Sequence, residues 1–520
     1  MSSISAPTRE QLASHSFPGD KLRIALIVSG AVALGSYEAG ALSALIGLVG
    51  SSKGRIVIDT IVGASAGSIT GLLLAHALLT GQGLDDEQTL WVEQTDMERL
   101  LRGVRQPGRP RGPMSSSELE AWALGELGRT GQPVAGTEEI YAVFSVANLQ
   151  GLTYLLSMHS KTEAVRADTY RDAVAFDFRP DTPADTWMRA MRAAIASSAH
   201  AFAFSAAWLD RDRAEYPPEI QWPPDTDGFW YTDGGTVYNE PFGFALDAVF
   251  SPEDMKLPAR NFDEKDRLFL LIHPHPNDPL AKWPPGGGEP LFGRSSLRAF
   301  NMQREQSLYE DLQRLEKYNG RLRWRRDLED RLREHGGAEE EWVVELAREV
   351  KRARNERLLA TKGVSGSEDV TADEAIGVVL DAATGTSGKQ LAWVETVSPE
   401  VDPRIRAGTA RVRDLLAGEG LGHFLGFADE RARRSDFRLG YENFREWWEG
   451  TPGKQGFRTL CDVEGAVPPR DWTGWDEFGS FSLKDVPSGK RWRWGLKLLW
   501  RYIREIRALF KGARKPSPRP

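Results

Sequence analysis

A β-branched run, Ile56–Val62, breaks at Gly63-Ala64-Ser65-Ala66-Gly67 and gives way to the apolar, helix-length stretch Gly67–Leu79. A serine between glycines at a strand-to-helix junction leaves few folds open. The turn is tight, and the glycines let backbone pack against backbone. The hydroxyl is lifted off the end of the strand. The helix that follows points unpaired N–H groups, and the positive end of its dipole, at any charge that develops there. Ser65 is therefore a candidate nucleophile, with Gly63 and Gly67 as its supporting glycines. The plainer reading of the same residues is a helix start without chemistry. Thr60–Leu84 contains no Lys, Arg, Asp or Glu. Its small and hydroxyl residues fit a buried strand–turn–helix better than a membrane span.

Leu22–Val28 and Arg267–Ile272 are further short runs, apolar on both faces, as expected of parallel strands covered on both sides. Tyr37–Val49, Gly67–Leu79 and Asp86–Leu101 have helical character, so strands alternate with helices and the expected fold class is α/β with a mainly parallel sheet. Residues 276–294 are dense in Pro and Gly and mark a boundary. The expected organisation is a flexible segment 1–20, an α/β domain 21–275, a linker 276–294, a mostly helical domain 295–489 and a basic tail 490–520. In the helical part, Ser295–Ala360 reads as two solvated helices broken at Gly336-Gly337. Gly422–Phe444 is charged, and its charges are expected to form ion pairs at a buried edge.

A serine needs a base. The chain has eight histidines, and none sits in a compelling motif. His273 ends a strand-like run but belongs to a His-Pro-His-Pro turn, so a Ser–His–Asp arrangement through His273 is one alternative. The other is a carboxylate. Asp233 precedes Gly234-Gly235, which bend the chain and bring the acid to a loop tip. A carboxylate is a weak base in water, with a reference pKa of about 3.9. It can still take the serine proton where water is excluded and the contact is about 2.6–3.2 Å.

Four blocks in order resemble the patatin-like phospholipases: ALIVSGAVALGSYEAGAL, GASAG, AIASSAHAFAFSA and DGGTVYNEP. The resemblance covers about residues 21–275. It implies a three-layer α/β/α domain and a serine–aspartate dyad of Ser65 and Asp233, with no metal and no cofactor. The reaction implied is hydrolysis of acyl lipids, phospholipids first. It also implies an oxyanion hole in the first block, formed by Gly30, Ala31 and Val32, with Gly35 kept as a motif glycine. This block departs from the family's glycine-rich pattern: Ala31 and Val32 replace glycines, and Leu34 replaces a basic residue. Val32 is β-branched and resists positive φ, so the loop is expected to take a conformation valine allows. The altered loop leaves a second alternative, a catalytically weak lipid-binding or scaffold protein.

The last segment has the opposite charge to the chain as a whole. The formal net charge is −8, yet Lys490–Pro520 holds eleven Lys and Arg against one acid, Glu505. Leu496, Leu499, Ile503, Ile506 and Phe510 recur at helical spacing, with Trp492, Trp494 and Trp500 beside them. A cationic amphipathic helix with aromatic flanks suits an anionic membrane surface. Packing on the acidic body of the same chain, or on a partner protein, is the competing reading. The overall negative charge argues against nucleic acid as the main partner. The single cysteine, Cys461, rules out a disulfide framework, and the first twenty residues lack the apolar core of a secretory signal. The expected setting is cytoplasmic, peripheral to a membrane where the tail docks.

Overall fold

The structure is a computed structural model. It describes residues 21–102, 112–156, 165–258, 267–274, 292–334, 340–362, 367–386, 392–419, 423–450, 465–475 and 481–510. The segment 1–20, most of the 276–294 linker, Gly336-Gly337, Cys461 and the end of the tail from residue 511 lie outside the described residues.

The strands are β1 (Leu22–Val28), β2 (Ile56–Ala64), β3 (Ile140–Leu156), β4 (Val165–Phe178), β5 (Ala207–Asp210), β6 (Ile220–Gln221), β7 (Gly228–Asp233), β8 (Leu268–Ile272) and β9 (Trp393–Val397). They form one mixed sheet in the order β5-β7-β3-β2-β1-β8-β9, with β4 and β6 also paired to β3. The centre is parallel, through β3·β2, β2·β1 and β1·β8. The wing beyond β3 is antiparallel. Every residue of β2 is buried, so helices must cover both faces of the sheet. That is the three-layer α/β/α architecture, with an antiparallel wing that the apolar runs did not announce. Just before β8, Arg267 pairs with Asp59 of β2 at 2.6 Å and ties the central strands together.

The main helices of the sheet-bearing unit are α1 (Gly35–Ser51), α2 (Ala66–Thr80), α3 (Ala184–Ser197) and α4 (Phe242–Phe250). All of α2 is buried, which explains why its sequence is largely apolar and carries no charged residue. Val32–Ser51 is, among the described residues, the one helical stretch long and apolar enough to cross a membrane; 89% of its apolar window is buried in the protein. Asp86–Leu101 is not one helix. It divides into Asp86–Gln88, a π-turn Thr89–Gln94 and Met97–Arg102. The π-turn sets the Trp91 ring against Gly35, where an added Cβ would lie 2.6 Å from it.

The chain divides into two compact units, but not at the expected boundaries. One unit comprises Met1–Ala259, Arg267–Leu308 and Val394–Pro520; the other comprises Arg260–Asp266 and Tyr309–Trp393. The second unit is built from the later part of α5 (Phe292–Glu334), α6 (Glu341–Lys362) and α7 (Ala372–Thr384). Val343, Ala347, Ala375, Ile376 and Leu380 form its core. Arg325 bonds Asp381 at 2.8 Å within it.

The expected 295–489 domain is thus split, and its later half joins the hydrolase-like sheet. The physical reason is a glycine-to-glycine crossing of α1 with α8 (Glu430–Glu449). A Cβ on Gly40 would lie 1.9 Å from the Phe437 carbonyl oxygen, and one on Gly440 would lie 1.9 Å from that of Tyr37. Only glycines allow so close an approach. The basic tail forms α9 (Ser488–Phe510) in this same unit.

Candidate active site

Sheet register brings the two candidate side chains together. Ala64, the last residue of β2, pairs with Ser145 of β3; the next residue of β3, Val146, pairs with Asp233 at the end of β7. Ser65 and Asp233 thus stand at one level of the sheet, on either side of β3. This is the carboxyl end of the parallel strands, where α/β sheets place their sites.

Ser65 takes φ +52 and ψ −126 at the turn into α2. Such a conformation costs a non-glycine residue about 1–3 kcal/mol and persists only where neighbours impose it. The end of α3 imposes it. The Ser65 N–H donates to Ser197 Oγ at 2.9 Å, and Ser198 Oγ donates to the Ser65 carbonyl at 2.7 Å. The next residue holds the other partner: the Ala199 carbonyl accepts the Asp233 N–H at 3.0 Å and the Thr232 hydroxyl at 2.8 Å. Ser65 Oγ then donates to Asp233 Oδ2 at 2.8 Å, while Asp233 Oδ1 accepts the Gly235 N–H at 2.7 Å. Ser65 is 5% exposed and Asp233 3%, so little bulk water competes for this bond.

The motif glycines serve close approach. A Cβ on Gly63 would meet the Gly67 carbonyl at 2.6 Å, one on Gly67 the Val28 carbonyl at 2.4 Å, and one on Gly234 the Ser145 carbonyl at 1.9 Å. At Gly235 it would lie 2.5 Å from Asn239 Oδ1.

The first loop departs from expectation in two ways. Gly30 is not available as an oxyanion donor. Its N–H goes to the Asn239 carbonyl at 3.0 Å, and its own carbonyl accepts from Asn239 Nδ2 at 3.2 Å. Ala31 and Val32 remain: their N–H groups donate no hydrogen bond among the described residues. The second departure is Val32, which takes φ +53, the left-handed conformation that β-branching disfavours. The loop is closed by a 3-10 turn, Val32–Leu34, and backed by the C-terminal segment. A Cβ on Gly418 would lie 3.0 Å from Leu34, and one on Gly426 3.0 Å from Ala33. Packing from residues some 390 positions away in sequence therefore fixes this loop.

The charges of Gly422–Phe444 do a different job from the one expected. Arg433 and Asp436 are buried, yet they bond backbone. Arg433 donates to the carbonyls of Val92 and Gly426, each at 3.0 Å, and Asp436 accepts from the N–H groups of Ala417 and Gly418 at 2.7 and 2.8 Å. Both act as clamps on the segment behind the loop. Ion pairs occur at the rim instead, as between Arg431 and Asp429 at 2.8 Å.

Behind the loop, Ser29 Oγ donates to Glu38 Oε1 at 3.3 Å, and burial holds the Glu38 carboxyl well above the usual carboxylate range. His273 Nδ1 lies 3.7 Å from Glu240 Oε1. Among the described residues no histidine bonds Ser65, so its hydroxyl proton points to Asp233. Ser197, Ser198 and Asn239 carry no motif that assigns them a role from sequence alone. The adjacent hydroxyls in the alanine/serine-rich block were the available signal.

A serine at a tight strand-to-helix turn, bonded to a carboxylate at the carboxyl end of the strands of an α/β/α sheet, defines a class of domain. Residues 26–246 match the family model of the patatin-like phospholipases, and this part of the chain is a patatin-like domain. Lipid acyl hydrolysis is the activity that family supports. Among solved structures, the crystal structure of VipD from Legionella pneumophila is similar at 12% identity, covering 85% of this chain and 67% of that one, with a TM-score of 0.26. That score is too low to speak to function. No curated protein matches the chain.

Proposed function

We propose that the protein hydrolyses carboxylic acyl esters of lipids, phospholipids first, with Ser65 as nucleophile and Asp233 as base. The observation that supports this most directly is the 2.8 Å bond from Ser65 Oγ to Asp233 Oδ2. Asp233 takes the hydroxyl proton as Ser65 Oγ attacks the ester carbonyl carbon. The negative charge moves to the carbonyl oxygen, where the N–H groups of Ala31 and Val32 are available. The carbon–oxygen bond to the alcohol then breaks, and the alcohol leaves with the proton from Asp233. Water attacks the acyl-enzyme and gives a proton to Asp233. The Ser65 ester bond breaks, the fatty acid departs, and the proton returns to Ser65. Asp233 stays correctly aimed throughout because Gly235 holds its second oxygen.

The test is incubation of wild type and Ser65→Ala with mixed phospholipid vesicles, products identified by mass. Free fatty acid and a deacylated lipid are expected from wild type alone. Release that is absent from wild type, or equal in both, overturns the proposal.

A further inference from the structure

Helix α9 plays no part in the hydrolytic scheme. Its inner face is committed to its own unit. Trp494 is buried, Arg501 donates to the Leu101 carbonyl at 2.6 Å and to that of Pro113, and the Tyr502 hydroxyl donates to the Phe202 carbonyl. The outer face is the unexpected one. Trp492, Leu496, Leu499, Trp500 and Ile503 recur at helical spacing and are all exposed, Trp492 at 72% and Trp500 at 60%. The apolar stripe is therefore turned away from the body, not packed on it, and no described residue covers it. Lys497 and Arg504 run along the adjoining flank, with the Arg504 guanidinium 5.5 Å from the Trp500 ring centroid, while Arg493 is ion-paired with Glu98. Phe202, itself exposed, belongs to the loop that leaves Ala199. Through Tyr502, the inner face of α9 thus meets the segment that anchors Asp233.

We propose that α9 docks the protein on an anionic lipid bilayer. The exposed indoles and leucines enter the boundary between headgroups and acyl chains, and the flanking cations meet lipid phosphates. Charge selects this occupant. A second copy seated face to face would bring two strongly basic helices together, and like charges oppose that pairing. A bilayer supplies the apolar layer and the opposite charge together. The choice of a lipid surface rests on the hydrolase reading, because docking would bring the substrate beside Ser65; the docking itself needs no catalysis.

The test is flotation of the full chain with vesicles of phosphatidylglycerol and phosphatidylcholine, and with phosphatidylcholine alone. Wild type and Ser65→Ala are expected to float with the anionic vesicles equally, and at least about tenfold more tightly than with neutral ones. The double variant Leu496→Glu, Leu499→Glu is expected to lose at least about tenfold in binding, with an unchanged melting temperature, since both residues are exposed. Failure of wild type to float, or equal flotation of the double variant, overturns the proposal. So does a wild-type dimer in light scattering that the double variant converts to monomer, which would make the face a self-association surface. Binding without lipid cleavage would count against the hydrolase reading alone, and cleavage without binding against the docking alone.

Discussion

The hydroxyl of Ser197 is fully used in holding Ser65. It donates to the Ser145 carbonyl at 2.6 Å, accepts the Ser65 N–H at 2.9 Å, and so must accept from Ser68 Oγ at 2.8 Å. One small side chain thereby links α3, β3 and the nucleophile turn.

Ser197→Ala removes all three bonds, including the one that holds the buried Ser65 N–H. We expect a loss of about 1–3 kcal/mol in unfolding free energy. Because Ser197 positions Ser65 without touching substrate, kcat should fall while KM stays near wild type. Denaturant unfolding and steady-state kinetics check the two parts; an unchanged kcat would remove Ser197 from the positioning role.

Asp233→Asn keeps an oxygen for the Gly235 N–H but cannot take a proton. The expected fall in kcat is about 100-fold or more. His273→Ala, at a residue facing Glu240, should cost far less. Loss only with the histidine variant would restore the triad alternative. A fluorophosphonate probe should label wild type and fail on Ser65→Ala; no labelling of wild type would favour the scaffold alternative.

Val32 separates shape from donor. Val32→Gly adopts positive φ without strain and keeps the N–H, so activity should stay within about threefold of wild type. Val32→Pro fixes φ near −65° and removes the N–H. A lost oxyanion donor typically costs about 100- to 1,000-fold in kcat. Equal activities in the two variants would place the oxyanion elsewhere.

Glu87 makes stability depend on pH. Burial pushes its carboxyl up to about 8, and among the described residues no other side chain pairs with it. In the unfolded chain a glutamate titrates at about 4.3. Between those values the folded state holds the extra proton, so stability falls as pH rises from about 4 to about 8 and levels off above. Asp436, raised to about 7 by burial against the pull of its two backbone donors, and Glu38 act with the same sign. Glu87→Gln should leave the melting temperature near wild type at low pH and raise it relative to wild type above pH 8. A pH dependence identical to wild type would show that Glu87 does not titrate on folding.

Much of the central sheet was legible because its strands are apolar on both faces and its glycines mark tight junctions. Leu22–Val28 was read at its observed bounds, and Ser65 and Asp233 were found from local turn chemistry. The antiparallel wing was harder to see. β4 opens on four exposed residues and carries little apolar signal over its first half. The left-handed Val32 contradicts the residue's own preference, and the neighbouring Ala33 and Leu34 are backed by Gly426 and Gly418 from far along the chain. The membership of 394–520 in the first unit was also hidden. It depends on glycines meeting across a helix crossing, and one sequence does not reveal which glycines will meet.

That crossing bears on when, during synthesis, the site around Ser65 can be complete. The loop opposite Ser65 is backed by Gly418 and Gly426, and its helix is backed by Phe437 and Gly440. During synthesis the ribosome must therefore complete nearly the whole polypeptide before the loop beside Ser65 has its rear support. A chain stopped at residue 294 should show no esterase activity. Under the proposed scheme, acyl hydrolysis at Ser65 would then be withheld from every unfinished copy by the order of translation alone.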